Sequence, residues 1–133
     1  MTDAISAIID LQAAKGAISK KKVIEDNKEC PEFLELLYYA LHPLLSYNMS
    51  EKTLRKARAL YDDDRKYTAI GEVCRELSSK RAVDNLTVRY VRAFLDSVTK
   101  EESEIYTKIL AKTLRLGVTA KTVNKVIPGL IPE

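Results

Sequence analysis

The sequence is short of the residues on which most enzymes and secreted domains depend. It has two cysteines, one histidine, four glycines and four prolines in 133 residues. Cys30 and Cys74 form neither a ligand cluster nor a disulfide framework, which predicts reduced thiols in a cytoplasmic protein. His42 stands alone beside Pro43 and reads as a helix-end residue, since metal sites need clustered His, Cys or carboxylate ligands. Asp62-Asp63-Asp64 is the acidic cluster, but adjacent carboxylates at a helix end diverge, so it reads as a solvated turn and not as a metal site. No P-loop, G-x-G-x-x-G or G-x-S-x-G motif occurs. No run of about 18 uncharged apolar residues is present, so no membrane span is expected. The N-terminal MTDAISAIIDLQ lacks the basic flank and cleavage pattern of a signal peptide.

What is present is helical periodicity. A hydrophobic content of 46% with 31% charged residues is that of a globular chain, and its length suits one domain with a single core. Net charge of +3 favours a polyanionic partner only weakly. No stretch alternates with period two over a useful length. Ile5, Ile8, Ile9 and Gln12 mark one side of a first helix, with Leu11 nearby, and Gly16 ends it. A second segment, Ile18 to Asn27, begins with Lys20, Lys21 and Lys22, which oppose the helix dipole and so have no obvious stabilising role. Pro31 opens a third helix, apolar nearly all round through Phe33, Leu34, Leu37, Tyr38 and Leu41, expected at the domain centre and ending at His42-Pro43. Ser50 caps a fourth helix with Leu54, Ala57 and Tyr61 inward. Ile70, Val73, Cys74 and Leu77 give the stripe of a fifth. Leu86, Val91, Phe94, Leu95 and Val98 define a sixth. Thr99 and Glu102 form a capping box for a seventh, whose apolar face runs through Ile105, Ile109, Leu110 and Leu114 to a break at Gly117. A last short helix runs from Thr119 to Val126. Tyr38, Tyr61 and Tyr90 are expected to pack against these stripes. The fold class predicted is all-α, a compact single domain of seven or eight helices.

Two loops share a feature that suits phosphate. In one, Lys80 and Arg81 precede Asn85, a good N-cap for the sixth helix. In the other, Arg115 and Gly117 precede Thr119, a good N-cap for the eighth. Each places cations beside backbone N–H groups at a helix start, which attract anions. Gly117 permits positive φ and close approach of another backbone. Lys121 and Lys125 are four apart on the last helix, with Thr122 and Asn124 adding polar side chains. Lys108, Lys112 and Arg115 also fall on one helical face, where a solvated basic stripe is the simpler reading, and Glu104 has the spacing to pair with Lys108.

The run LRLGVTAKTV, Leu114 to Val123, resembles a signature of the N-terminal DNA-binding domain of ATP-dependent DNA ligases, and NKVIPGLIPE, which follows it, is similar to the phage-type members. The resemblance is strong over Tyr106 to Glu133 and weaker over Gly71 to Val98. There, KRAVDN occupies a loop often written with Gly-Asn, and Asp84 stands in the glycine's place. The resemblance implies a DNA-binding domain over residues 1–126 and, at 127–133, the start of a linker to a nucleotidyltransferase domain. ATP and Mg2+ are expected for that parent enzyme of DNA replication, repair and recombination. None is expected for this chain, which has no K-x-D-G lysine and should be inactive alone. In the family this domain lies on the minor-groove face of nicked duplex DNA, with contacts to phosphate and sugar that position without reading bases. Lys80, Arg81, Arg115, Lys121 and Lys125 would supply charge, and Asn85, Gly117, Thr119, Thr122 and Asn124 hydrogen bonds and close approach. Five phosphate contacts imply a log–log salt slope of roughly −4 to −5. The partner expected is duplex or nicked DNA bound by a monomer, without a membrane.

Two other readings stay open. The turn LGVT between helices invites a sequence-specific helix-turn-helix regulator, although the last helix is short and carries Val123 and Val126. The apolar tail Ile127, Leu130 and Ile131 is compatible with a protein-interaction module or a sliding-clamp contact, but packing inside the domain or a linker explains it more simply.

Overall fold

The computed structural model describes residues 3–60 and 67–132; Tyr61 and Asp62-Asp63-Asp64 lie outside them. Eight helices and no strand occur among the described residues, as the all-α expectation required. The contacts group into two units, Met1–Leu44 with Arg115–Glu133, and Leu45–Leu114.

The first unit joins the two ends of the chain. Helix α1 (Asp3–Ala13) packs against α2 (Ala17–Asp26) and α3 (Pro31–Leu41), and α2 packs against α8 (Ala120–Val126). The inward face of α1 is Ala4, Ile5, Ala7, Ile8 and Leu11. Ile9 and Gln12 lie outside it, contrary to the sequence reading: the alanines, too small to mark a stripe, turn the buried face by about one residue. In α3 the buried side chains are Phe33, Leu36, Leu37 and Tyr39, while Leu34, Tyr38 and Leu41 are half-buried. Pro31 occupies the first turn, and His42 ends the helix. The buried His42 accepts a hydrogen bond at Nδ1 from the Leu44 amide (3.1 Å) and stacks edge-on against Tyr38. The helix-end role read from the sequence holds.

The second unit contains α4 (Glu51–Lys56), α5 (Ile70–Ser78), α6 (Asn85–Ser97) and α7 (Lys100–Ala111), with α4 packed on α6 and α7 and α6 on α7. Ser50 caps α4 by accepting from the Thr53 amide. Ile70, Val73, Cys74 and Leu77 are all buried, as their spacing predicted. Cys74 is buried and Cys30 partly exposed, and the two are not joined in a disulfide. The Thr99–Glu102 capping box is formed in full. Phe94 of α6 stacks on Tyr106 of α7, with ring centroids 6.0 Å apart. The buried tyrosines are Tyr39, Tyr47, Tyr67 and Tyr106. Burial, and then the neighbouring Glu76 carboxylate, push the Tyr67 phenol well above its ordinary pKa.

Helix α7 stops at Ala111, six residues before Gly117, because Lys112 takes the left-handed conformation (φ 60°) as its C-cap. Lys108, Lys112 and Arg115 therefore do not share a helical face. Lys112 instead lies with its ammonium 5.6 Å from the centroid of the Tyr47 ring, and desolvation lowers its pKa. Glu104 turns to Arg55 of α4 (2.8 Å) and not to Lys108.

Candidate nucleic-acid interface

In the first unit, the turn before α8 is assembled from backbone groups that other helices hold. Arg115 O accepts from Gln12 Nε2 of α1 (3.1 Å), and Leu116 O accepts from Lys20 Nζ of α2 (3.0 Å). The Leu116 side chain is buried, which anchors the turn from beneath. Gly117 follows with φ +72°. A β-carbon there would lie 2.7 Å from Lys20 Cε and 2.9 Å from Nζ. Glycine is favoured by its backbone angle, and a β-carbon there would also displace the end of the Lys20 side chain from its carbonyls. Thr119 caps α8, its hydroxyl accepting from the Thr122 amide (3.3 Å).

Most of the residues singled out in this stretch are accessible. Arg115, Gly117, Thr119, Lys121 and Lys125 are exposed, and Thr122 is half-buried beside Thr119. Among the described residues, no carboxylate forms an ion pair with Arg115, Lys121 or Lys125. Their charge faces solvent. Asn124 does not belong with them. Its amide is spent inside the fold, donating to Ile131 O (2.7 Å) and accepting from Ile131 N (2.9 Å). Ile131 is buried, so the segment after α8 returns onto its own unit, turning at Gly129 (φ 76°). For this residue, of the readings open for the apolar tail, packing inside the domain is the one observed.

The second unit holds the other loop, and here the sequence reading needs revision. The N-cap of α6 is Asp84, whose carboxylate accepts from the Thr87 amide (2.8 Å); Asn85 is the first helical residue. Two good caps stand side by side in VDNLTV, and the helix starts at the earlier one. The consequence is electrostatic. A carboxylate already occupies the positive end of α6, where a phosphate would have to compete with a fixed negative charge. Lys80 lies 3.6 Å from Glu76, and its main-chain oxygen accepts from Asn48 Nδ2 (2.8 Å). Arg81 and Asn85 are exposed.

Two solved chains share this fold. The chain named Pmar-Lig_PreS3 superposes with a TM-score of 0.73 at 23% sequence identity, over 99% of the present chain and 32% of its own. Pmar-Lig_Pre. superposes with a TM-score of 0.71 at 22% identity, over 95% and 29%. The present chain therefore spans about a third of the length of the solved chains it matches. No family model matches the sequence, and no curated protein does.

The sequence has no K-x-D-G, and Lys125 is followed by Val126. Among the described residues, no three His, Cys, Asp or Glu side chains converge on a metal position. No step of nucleotidyl transfer is derived from this chain. No helix among the described residues is long and apolar enough to cross a membrane.

The residue that sequence reasoning missed is Lys20. In the sequence it stands only as a charge opposed to the α2 dipole, yet its ammonium is committed to main-chain carbonyls of α1 and of the turn before α8. Nothing in local periodicity pairs position 20 with position 116.

Proposed function

We propose that this chain is the DNA-binding domain of an ATP-dependent DNA ligase and holds duplex DNA without regard to sequence, through sugar and phosphate. The observation that carries the reading is the exposed stretch from Arg115 to Lys125. It offers three cations that have no carboxylate partner among the described residues, around a tightly held Gly-Val-Thr turn. The same stretch bears the ligase-like run LRLGVTAKTV. Arg115, Lys121 and Lys125 act as point charges on phosphates, and Thr119 and Thr122 donate hydrogen bonds. Lys80 and Arg81 of the other unit add phosphate contacts of their own, while Asp84 keeps its helix end from binding an anion. Asn124 takes no part.

The names of the two similar chains and their greater length support the same reading. The parent enzyme would carry a nucleotidyltransferase domain that binds ATP and Mg2+ and seals nicks. The helix-turn-helix alternative is disfavoured by the size of α8, seven residues with Val123 buried, which leaves few side chains to read base edges. The docking-peptide alternative loses Ile131, which is buried on its own unit.

A salt titration tests the assignment. Three to five neutralised phosphates give a log–log slope between roughly −3 and −4.5. The double variant Lys121→Ala, Lys125→Ala should bind more weakly with a slope shallower by about 2. An unchanged slope would remove both lysines from the contact set.

A further inference from the structure

Lys20 is not among the proposed contacts, yet it is the side chain most closely built into the turn that they surround. Its ammonium donates to Leu11 O at 2.8 Å and to Leu116 O at 3.0 Å. Leu11 O belongs to the last turn of α1, where carbonyls lack helical partners and a cation is favoured. Leu116 O belongs to the turn before α8. The lysine stem also fills the space against Gly117 that any β-carbon would need. One side chain from α2 thus joins the end of α1 to the start of the Gly-Val-Thr turn. Gln12 holds the adjacent carbonyl of Arg115.

We infer that Lys20 is a positioning residue for DNA binding, which fixes the Leu116–Gly117 backbone and so the direction in which Arg115 and Thr119 meet phosphate. This rests on the proposed function. Lys20 has three N–H donors, of which two are taken by carbonyls. Most of its donors are therefore already committed to the backbone, although a lysine beside a DNA-facing turn is ordinarily read as a contact. A site held loosely by its supporting residues loses affinity without losing any contacting group. Loss of a contacting lysine reduces the salt slope by about 1, whereas loss of a positioning lysine lowers affinity at constant slope.

The experiment compares the wild-type chain, Lys20→Met and Lys121→Ala by fluorescence anisotropy on one duplex at four salt concentrations. Lys20→Met is expected to bind about tenfold more weakly with the wild-type slope, and Lys121→Ala to lose about 1 from the slope. Equal affinity of Lys20→Met and wild type overturns the inference, and so does a slope reduced as far as that of Lys121→Ala. If the wild-type chain binds no duplex, the proposed function itself fails. A second measurement needs no variant, in case Lys20→Met does not fold. In mass-resolved lysine acetylation of the wild-type chain, Lys20 should react more slowly than the exposed Lys22, and DNA should slow Lys121 but leave Lys20 unchanged. Reaction of Lys20 at the rate of Lys22, or protection by DNA equal to that of Lys121, overturns the inference.

Discussion

At the scale of single residues, the decisive pair is Lys20 and Gly117. Replacing Gly117 by alanine imposes a left-handed angle on an L residue and drives the lysine from its two carbonyls. Together these should cost about 1–3 kcal/mol in urea unfolding. With Lys20→Ala already in place the clashing stem atoms are absent, so the double variant should be more stable than additivity predicts by about 1 kcal/mol. Strict additivity would mean that the two residues do not share this space in solution. The sequence showed half of this: a glycine before a capping threonine marks a turn. It could not show the other half, because the partner lies almost a hundred positions away. Asn124 gives the converse lesson. A polar residue beside two lysines on a short helix reads as a ligand contact, but both faces of its amide belong to Ile131. Asn124→Ala should lower stability by about 1–2 kcal/mol and leave the salt slope of DNA binding unchanged. A shallower slope would restore Asn124 to the interface.

At the scale of helices, periodicity located all eight elements, and capping chemistry located several of their starts. Ser50, the Thr99–Glu102 box and Thr119 are used as their residue types predict. The errors arise where two adjacent residues could do the same work, as at Asp84 and Asn85, or where a left-handed Lys112 ends a helix that nothing in its sequence stops. The buried face of α6 illustrates what the pattern can test. Leu95 is buried and Leu86 is half-exposed, although both belong to the apolar stripe read from the sequence. Leu95→Ala should cost about 2–5 kcal/mol, and Leu86→Ala within about 0.5 kcal/mol of zero. Chemical denaturation of the two variants separates them. The ionic ties of the second unit predict a pH response. Arg55 holds the Glu104 carboxyl below its ordinary pKa, the Thr113 hydroxyl does the same for Glu51, and that of Thr68 for Glu72. Each carboxylate is favoured in the folded state. Its contribution is therefore present above the unfolded pKa, about 4.3, and is lost as pH falls through the lower folded value. The urea midpoint should be level from about pH 8 to 5 and decline below about pH 4.5. The gap between wild type and Glu104→Gln should narrow over the same decline, and a gap independent of pH would contradict the assignment.

At the scale of the molecule, the all-helical fold recurs over about a third of two longer solved chains. Helical composition and size were legible from periodicity alone. The division into units was not, because the first unit unites residues from both ends of the chain. The proposed function rests on the run around Gly117, since a net charge of +3 and capped helices are common to many proteins. The most direct test is an anisotropy titration of the chain with two duplexes of unrelated sequence, a nicked duplex and a single strand, each at two salt concentrations. The account predicts affinities for the two duplexes within about twofold of each other, falling with salt along a slope between roughly −3 and −4.5. A tenfold preference for one sequence, or binding indifferent to salt, would contradict it.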